Sequence, residues 1–69
     1  MIEIFKTNVE SAGQAKYLTV LLHRYLPPAE INFDLDDCDN ILRVKGENFC
    51  PLNVIRLLAD TGFECCVLE

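Results

Sequence analysis

From Glu30 to Asp36 apolar and polar residues alternate without a break: Ile31, Phe33 and Leu35 stand between Glu30, Asn32, Asp34 and Asp36. A period of two is the mark of a strand with one face buried and one wet. Asp37-Cys38-Asp39-Asn40 follows, a run of turn-forming residues. Beyond it, from Ile41 to Lys45, Leu42 and Val44 alternate with Arg43 and Lys45. Two alternating segments joined by a short turn predict an antiparallel hairpin.

The flanking segments supply the other elements. Ile2 to Asn8 reads as a strand with Ile2 and Ile4 on one face and Glu3 between them, although Phe5 interrupts the alternation and leaves its own face open. Ser11 opens a helix, and Gln14 three residues on completes a capping box. Ala15, Leu18, Leu22 and Tyr25 then recur at helical spacing, with Leu21 and Leu26 beside them, until Pro27 and Pro28 stop the helix. Gly46 to Phe49 reads as a loop. Pro51 suits the first position of a second helix and puts Cys50 at its N-cap. Val54, Ile55, Leu57, Leu58 and Ala59 form that helix's apolar side, and Gly62 ends it with Phe63 placed to pack back in a Schellman motif. Cys65 to Leu68 is a short last strand. The order is βαββαβ. Right-handed crossovers turn it into an α+β, ferredoxin-like sandwich: a four-stranded antiparallel sheet with both helices on one face, a single domain over residues 1–69.

Sixty-nine residues leave a marginal core, because a chain of this size buries only about 60% of its unfolded surface. The 51% hydrophobic content offsets this and argues against disorder. The net charge of -5 makes phosphate backbones and anionic membranes poor counterparts and a basic protein surface a better one. The chain start lacks a basic n-region and a cleavage pattern, and the apolar run from Tyr17 to Leu26 is too short for a bilayer. A soluble, cytoplasmic protein with reduced thiols is expected.

The phrase Leu58-Ala59-Asp60-Thr61-Gly62-Phe63-Glu64-Cys65, the strand Leu42-Arg43-Val44-Lys45-Gly46, Pro51 at the second helix start, and the Ala15/Leu18 spacing together resemble the heavy-metal-associated domain, the small copper-chaperone-like module. The resemblance covers nearly the whole chain. It implies the same βαββαβ scaffold and a soft-metal site in a Met-x-Cys-x-x-Cys loop between the first strand and first helix. That loop departs from the family: aligned on it, Asn8 takes the methionine's place and Glu10 and Gly13 those of the two cysteines. A one-residue shift substitutes Thr7, Val9 and Ala12. Neither register supplies a thiol, and Cu(I) prefers thiolates to a single hard carboxylate. Glu10 is then a favourable charge near a helix N-terminus. Phe63 falls where copper-handling relatives carry an aromatic or a lysine near the metal.

Outside that loop the thiols offer other candidates. Cys65 and Cys66 are neighbours on a strand, so their side chains point to opposite faces. Cys65 is the expected core residue and Cys66 the accessible one. A copper or zinc site built on both, across a dimer, is the alternative to a chain without cofactor, with Cys38 as a weaker third ligand. Cys50 at a helix N-terminus is a cap or a reactive thiol. His23 has neither a Cys nor a carboxylate four residues away. Asp34, Asp36, Asp37 and Asp39 make an acidic end without EF-hand spacing, suited to docking a basic partner. No nucleophile stands beside a base and no Gly-rich phosphate loop is present, so the chain is not expected to be an enzyme. The expectation is a non-catalytic binding or adaptor module with a degenerate metal loop, linked to metal homeostasis through the resemblance alone, whose partner is a basic protein surface or a second copy of itself.

Overall fold

The structure, a computed structural model, describes residues 1–68. Strand β1 (Ile2–Thr7) is followed by helix α1 (Ala12–Tyr25), the hairpin β2 (Ala29–Asp34) and β3 (Ile41–Gly46), helix α2 (Pro51–Asp60) and strand β4 (Cys65–Val67). The strands form one antiparallel sheet in the order β2-β3-β1-β4. This is the ferredoxin-like α+β arrangement.

The local signals act as the residues predict. Ser11 Oγ accepts the Gln14 N–H at 3.1 Å and Gln14 Oε1 accepts the Ser11 N–H at 3.2 Å, a reciprocal capping box. Pro51 opens α2 without losing a ladder bond. At its end Gly62 adopts φ 91°, the left-handed conformation that costs glycine nothing. Its N–H donates to the Ala59 carbonyl at 3.0 Å and that of Phe63 to Leu58 at 2.9 Å, which is the Schellman pattern.

Register decides which strand face is inside. Phe5 stands opposite Leu42, which stands opposite Phe33; Glu3 pairs with Val44, and Val44 with Ile31. Phe5, Leu42 and Val44 are buried with Leu18 and Leu22 of α1 and Val54 and Leu58 of α2, so both helices cover this face. On β1 this face therefore carries Glu3, Phe5 and Thr7, of which Phe5 and Thr7 are buried. Ile2 and Ile4 lie on the other face, where Ile2 is 56% exposed. Phe5 is no interruption of the pattern; it is the strand's core residue. Two helix positions also differ from their periodicity: Tyr25 is 61% exposed, with the Arg24 guanidinium 5.8 Å from its ring centroid, and Ala59 is exposed. Both stand to one side of the buried stripes, which are Ala15, Leu18 and Leu22 along α1 with Leu26 at its cap, and Val54 and Leu58 along α2.

The uncovered face is mixed. Glu30, Asn32 and Asp34 of β2 lie beside Lys45, Arg43 and Ile41 of β3, which lie beside Ile2, Ile4 and Lys6 of β1. Arg43 Nη2 reaches Asp34 at 3.5 Å and Lys6 Nζ reaches Asp39 at 3.7 Å. All four side chains are well exposed, so each pair is worth about 0–1 kcal/mol.

Candidate functional site

The β1–α1 turn, the β2–β3 turn and the start of β4 meet at one end of the sheet. Thr7 is the organiser. Its buried hydroxyl donates to the Asn40 carbonyl at 2.6 Å and accepts the Val9 N–H at 3.2 Å, while its own N–H donates to the Asp39 carbonyl at 3.2 Å. Asn40 takes φ 49°, a conformation Asn tolerates better than most residues. Asn8 bridges to the other side: its Oδ1 accepts the Glu64 N–H at 2.8 Å, and its N–H donates to the Glu64 carbonyl at 3.3 Å.

Where the resemblance implies a metal loop, the turn is built of structural contacts. Val9 is completely buried and plugs the core beneath the turn. Glu10 is exposed and its N–H donates to Gln14 Oε1 at 2.9 Å. Gly13 lies in the first turn of α1 with a negative φ; a Cβ there would find only Ser11 Oγ, at 3.9 Å. Phe63 is half-buried against the core, held by the Schellman bond at its N–H.

The thiols diverge. Cys65 pairs with Thr7 and packs against the core; Cys66 pairs with Lys6 and is exposed on the open face. Burial, and secondarily the neighbouring Cys66, pushes the Cys65 thiol up to about 12. A thiol held protonated is a poor metal ligand at neutral pH. Cys38 is exposed in the hairpin turn. With Asp37 and Asp39 it brings three ligand atoms within 4.8 Å of one another. The Asp37 carboxylate, however, accepts the Asp39 N–H at 2.9 Å, and Asp39 pairs with Lys6. Strand β1 separates the hairpin from β4 by two strand spacings, roughly 10 Å, so Cys38 is not brought to Cys65 and Cys66. Cys50 is the N-cap of α2 and makes no side-chain capping bond. His23 is exposed in the last turn of α1, a favourable place for a cation.

The fold also creates a feature that no periodicity announces. A groove of about 650 Å³ runs between α1 and β2, lined by Ala12, Ala15, Lys16 and Thr19 on the helix and by apolar Ile31, Phe33 and Leu35 with polar Asn32, Asp34, Asp36 and Arg43 on the sheet side. The small residues at 12, 15 and 19 share one helix face, a spacing visible in the sequence, but only the packing of α1 against the edge strand makes that face a wall. Among the described residues no helix is long and apolar enough to cross a membrane.

The chain matches no protein-family model, no curated protein and no solved structure.

Proposed function

We propose that the protein is a non-catalytic binding module: a heavy-metal-associated-type scaffold whose metal loop has become a structural turn, acting in the cytoplasm on a protein partner of basic surface. The observation that supports this reading is the turn's internal bonding. Its side chains at Asn8, Ser11 and Gln14 are engaged in holding β4 and capping α1, and its apolar residue Val9 is part of the core. A turn so used presents little soft-ligand chemistry, while the exposed carboxylates of Asp36 and Asp37 at the hairpin end offer charge to a basic partner. A link to metal homeostasis rests on the resemblance alone.

The soft-metal alternative at Cys65 and Cys66 has less support, because the two sulfurs serve opposite faces and Cys65 favours its protonated form.

The deciding experiment is an anaerobic Cu(I) titration against a competing chelator, run on the reduced protein and on the Glu10→Cys/Gly13→Cys variant, with masses read under native conditions. The expected result is no stoichiometric binding by the natural sequence and tight binding by the double variant. Stoichiometric Cu(I) in the natural protein, lost in Cys66→Ser, overturns the reading in favour of a metal carrier. A folded double variant that gains nothing overturns the alignment of the turn with the metal loop.

A further inference from the structure

Strand β2 is an edge of the sheet: β3 occupies one side, and among the described residues no strand pairs with the other. Edge strands in natural proteins are usually blunted by shortness, charged side chains, bulges, proline or a covering element, and β2 carries the charges of Glu30 and Asp34. This one runs six residues in unbroken register with β3, and its prolines, Pro27 and Pro28, precede it. Beside it lies the groove. Ala12, Ala15 and Thr19 keep the α1 wall low, and Ile31, Phe33 and Leu35 form a half-buried apolar floor. A strand laid along β2 would place alternate side chains into this groove and the others on the open face of the sheet.

The charges select the occupant. The open-face side chains of β2 are Glu30, Asn32 and Asp34, and Asp36 follows just beyond. A second copy of β2, antiparallel about Asn32, would set Glu30 directly against Asp34, a like-charge pairing that destabilises a ladder. In that register the edge is guarded against its own kind. Lys45 faces Glu30 in the register and Arg43 reaches Asp34, so the β3 side partly balances these carboxylates. Lys16 on the helix wall and Arg43 are the cations that line the groove, and Asp34 and Asp36 its carboxylates. Glu30 and Asp36 are exposed and in no ion pair among the described residues, and the chain as a whole carries a net charge of -5.

We infer that β2 and the α1 groove together form a strand-addition site for an extended peptide segment in which basic residues alternate with small apolar ones. The basic residues lie beside Glu30 and Asp34; the apolar ones enter the groove over Ile31 and Phe33. Backbone hydrogen bonds to the free edge would supply affinity, and the alternation specificity. This deepens the proposed binding role and rests on it.

The test is an NMR titration of the ¹⁵N-labelled protein with the capped peptide Gly-Lys-Val-Arg-Val-Lys-Gly and with a control in which Glu replaces its three basic residues. The expected result is saturable shifts and slowed amide exchange confined to β2 and the Ala12–Thr19 face of α1, absent with the acidic control. Glu30→Lys, an exposed change, should weaken binding roughly tenfold, the scale of turning an attractive cross-strand pair into a repulsive one. Ala12→Phe, at an exposed position, should block the groove mouth and weaken it as well. Shifts confined to Asp36–Asp39 would overturn the strand-addition site and leave the basic-partner reading standing. No response to the basic peptide, or an equal response to the acidic one, would also overturn the site, and self-association through β2 in sedimentation would replace it by a dimer.

Discussion

Asn8 and Glu64, 56 residues apart, hold each other by two hydrogen bonds: the Glu64 N–H donates to Asn8 Oδ1 at 2.8 Å, and the Asn8 N–H donates to the Glu64 carbonyl at 3.3 Å. Strand β4 has three residues and lies at an edge, so this clasp fixes where it begins. The Asn8 side chain is thus a structural tie between the first turn and the last strand.

Asn8→Ala removes the side-chain acceptor and leaves the backbone bond. The cost should be about 0.5–1.5 kcal/mol, the net worth of one hydrogen bond, read as a lower urea midpoint with an unchanged slope. Amide exchange should quicken most at Glu64, whose N–H loses its acceptor, and next at Leu68, whose N–H donates to the Ile4 carbonyl at 2.8 Å at the far end of the same strand pairing. Uniform quickening across the chain would show that β4 does not open separately.

The glycines should respond in opposite senses. A Cβ on Gly46 would lie 2.9 Å from Ala29 Cβ and 3.1 Å from the Pro28 carbonyl oxygen. Gly46→Ala must push β2 from β3 and should destabilise by about 1–3 kcal/mol. Gly13→Ala meets only Ser11 Oγ at 3.9 Å, an ordinary contact, within a helix and should stabilise by about 0.5–1 kcal/mol. Thermal melts of the two variants give the signs directly.

Phe5 and Ile4 are adjacent and unequal. Phe5 is fully buried at the centre of the core, and Phe5→Ala should cost about 3–5 kcal/mol, enough to unfold much of a domain this small. Ile4→Ala, on the open face, should cost well under half as much. Equal losses would mean that the open face is covered in solution, and sedimentation would then reveal the association.

Cys65 carries a pH signature. Its thiol is raised from 9.0 to about 12 by burial and then by Cys66. Below pH 9 both folded and unfolded chains keep this proton, and the group adds no pH dependence. Between pH 9 and 12 the unfolded chain releases the proton while the folded chain retains it, so stability falls as pH rises. Cys65→Ala should flatten that part of the alkaline stability profile, measured by urea unfolding at stepped pH against the natural protein. At pH 8 a thiol-alkylating reagent should modify exposed Cys66 well before Cys65.

The elements and their ends were legible because each rests on neighbouring residues. The Ser11–Gln14 box, the Pro27-Pro28 stop, Pro51 and the Thr61-Gly62-Phe63 ending act over three or four positions, and the alternation in β2 and β3 needs no distant partner. That Cys65 and Cys66 serve opposite faces follows from strand alternation alone. The βαββαβ order with antiparallel pairing puts the first turn, the hairpin turn and the start of β4 at one end of the sheet.

What the chain's linear order left undecided required partners far away. β1 carries apolar residues on both faces, so its periodicity is ambiguous, and only its pairing with β3 and β4 turns Phe5 inward and Ile2 outward. Val9 looks like part of a polar loop until Thr7 folds the turn over the core, and Phe49 looks like loop until α2 closes on it; both are buried. The groove beside β2 exists in no single segment, since one wall is helix and the other strand. Local propensity is set within a turn of chain, whereas burial and cavities are set by which surfaces the fold brings together. That is why the sequence alone determined the βαββαβ order and the absence of thiols from the first turn, and why the tertiary structure alone decided the inward face of β1, the roles of Val9 and Asn8, and the open edge at β2.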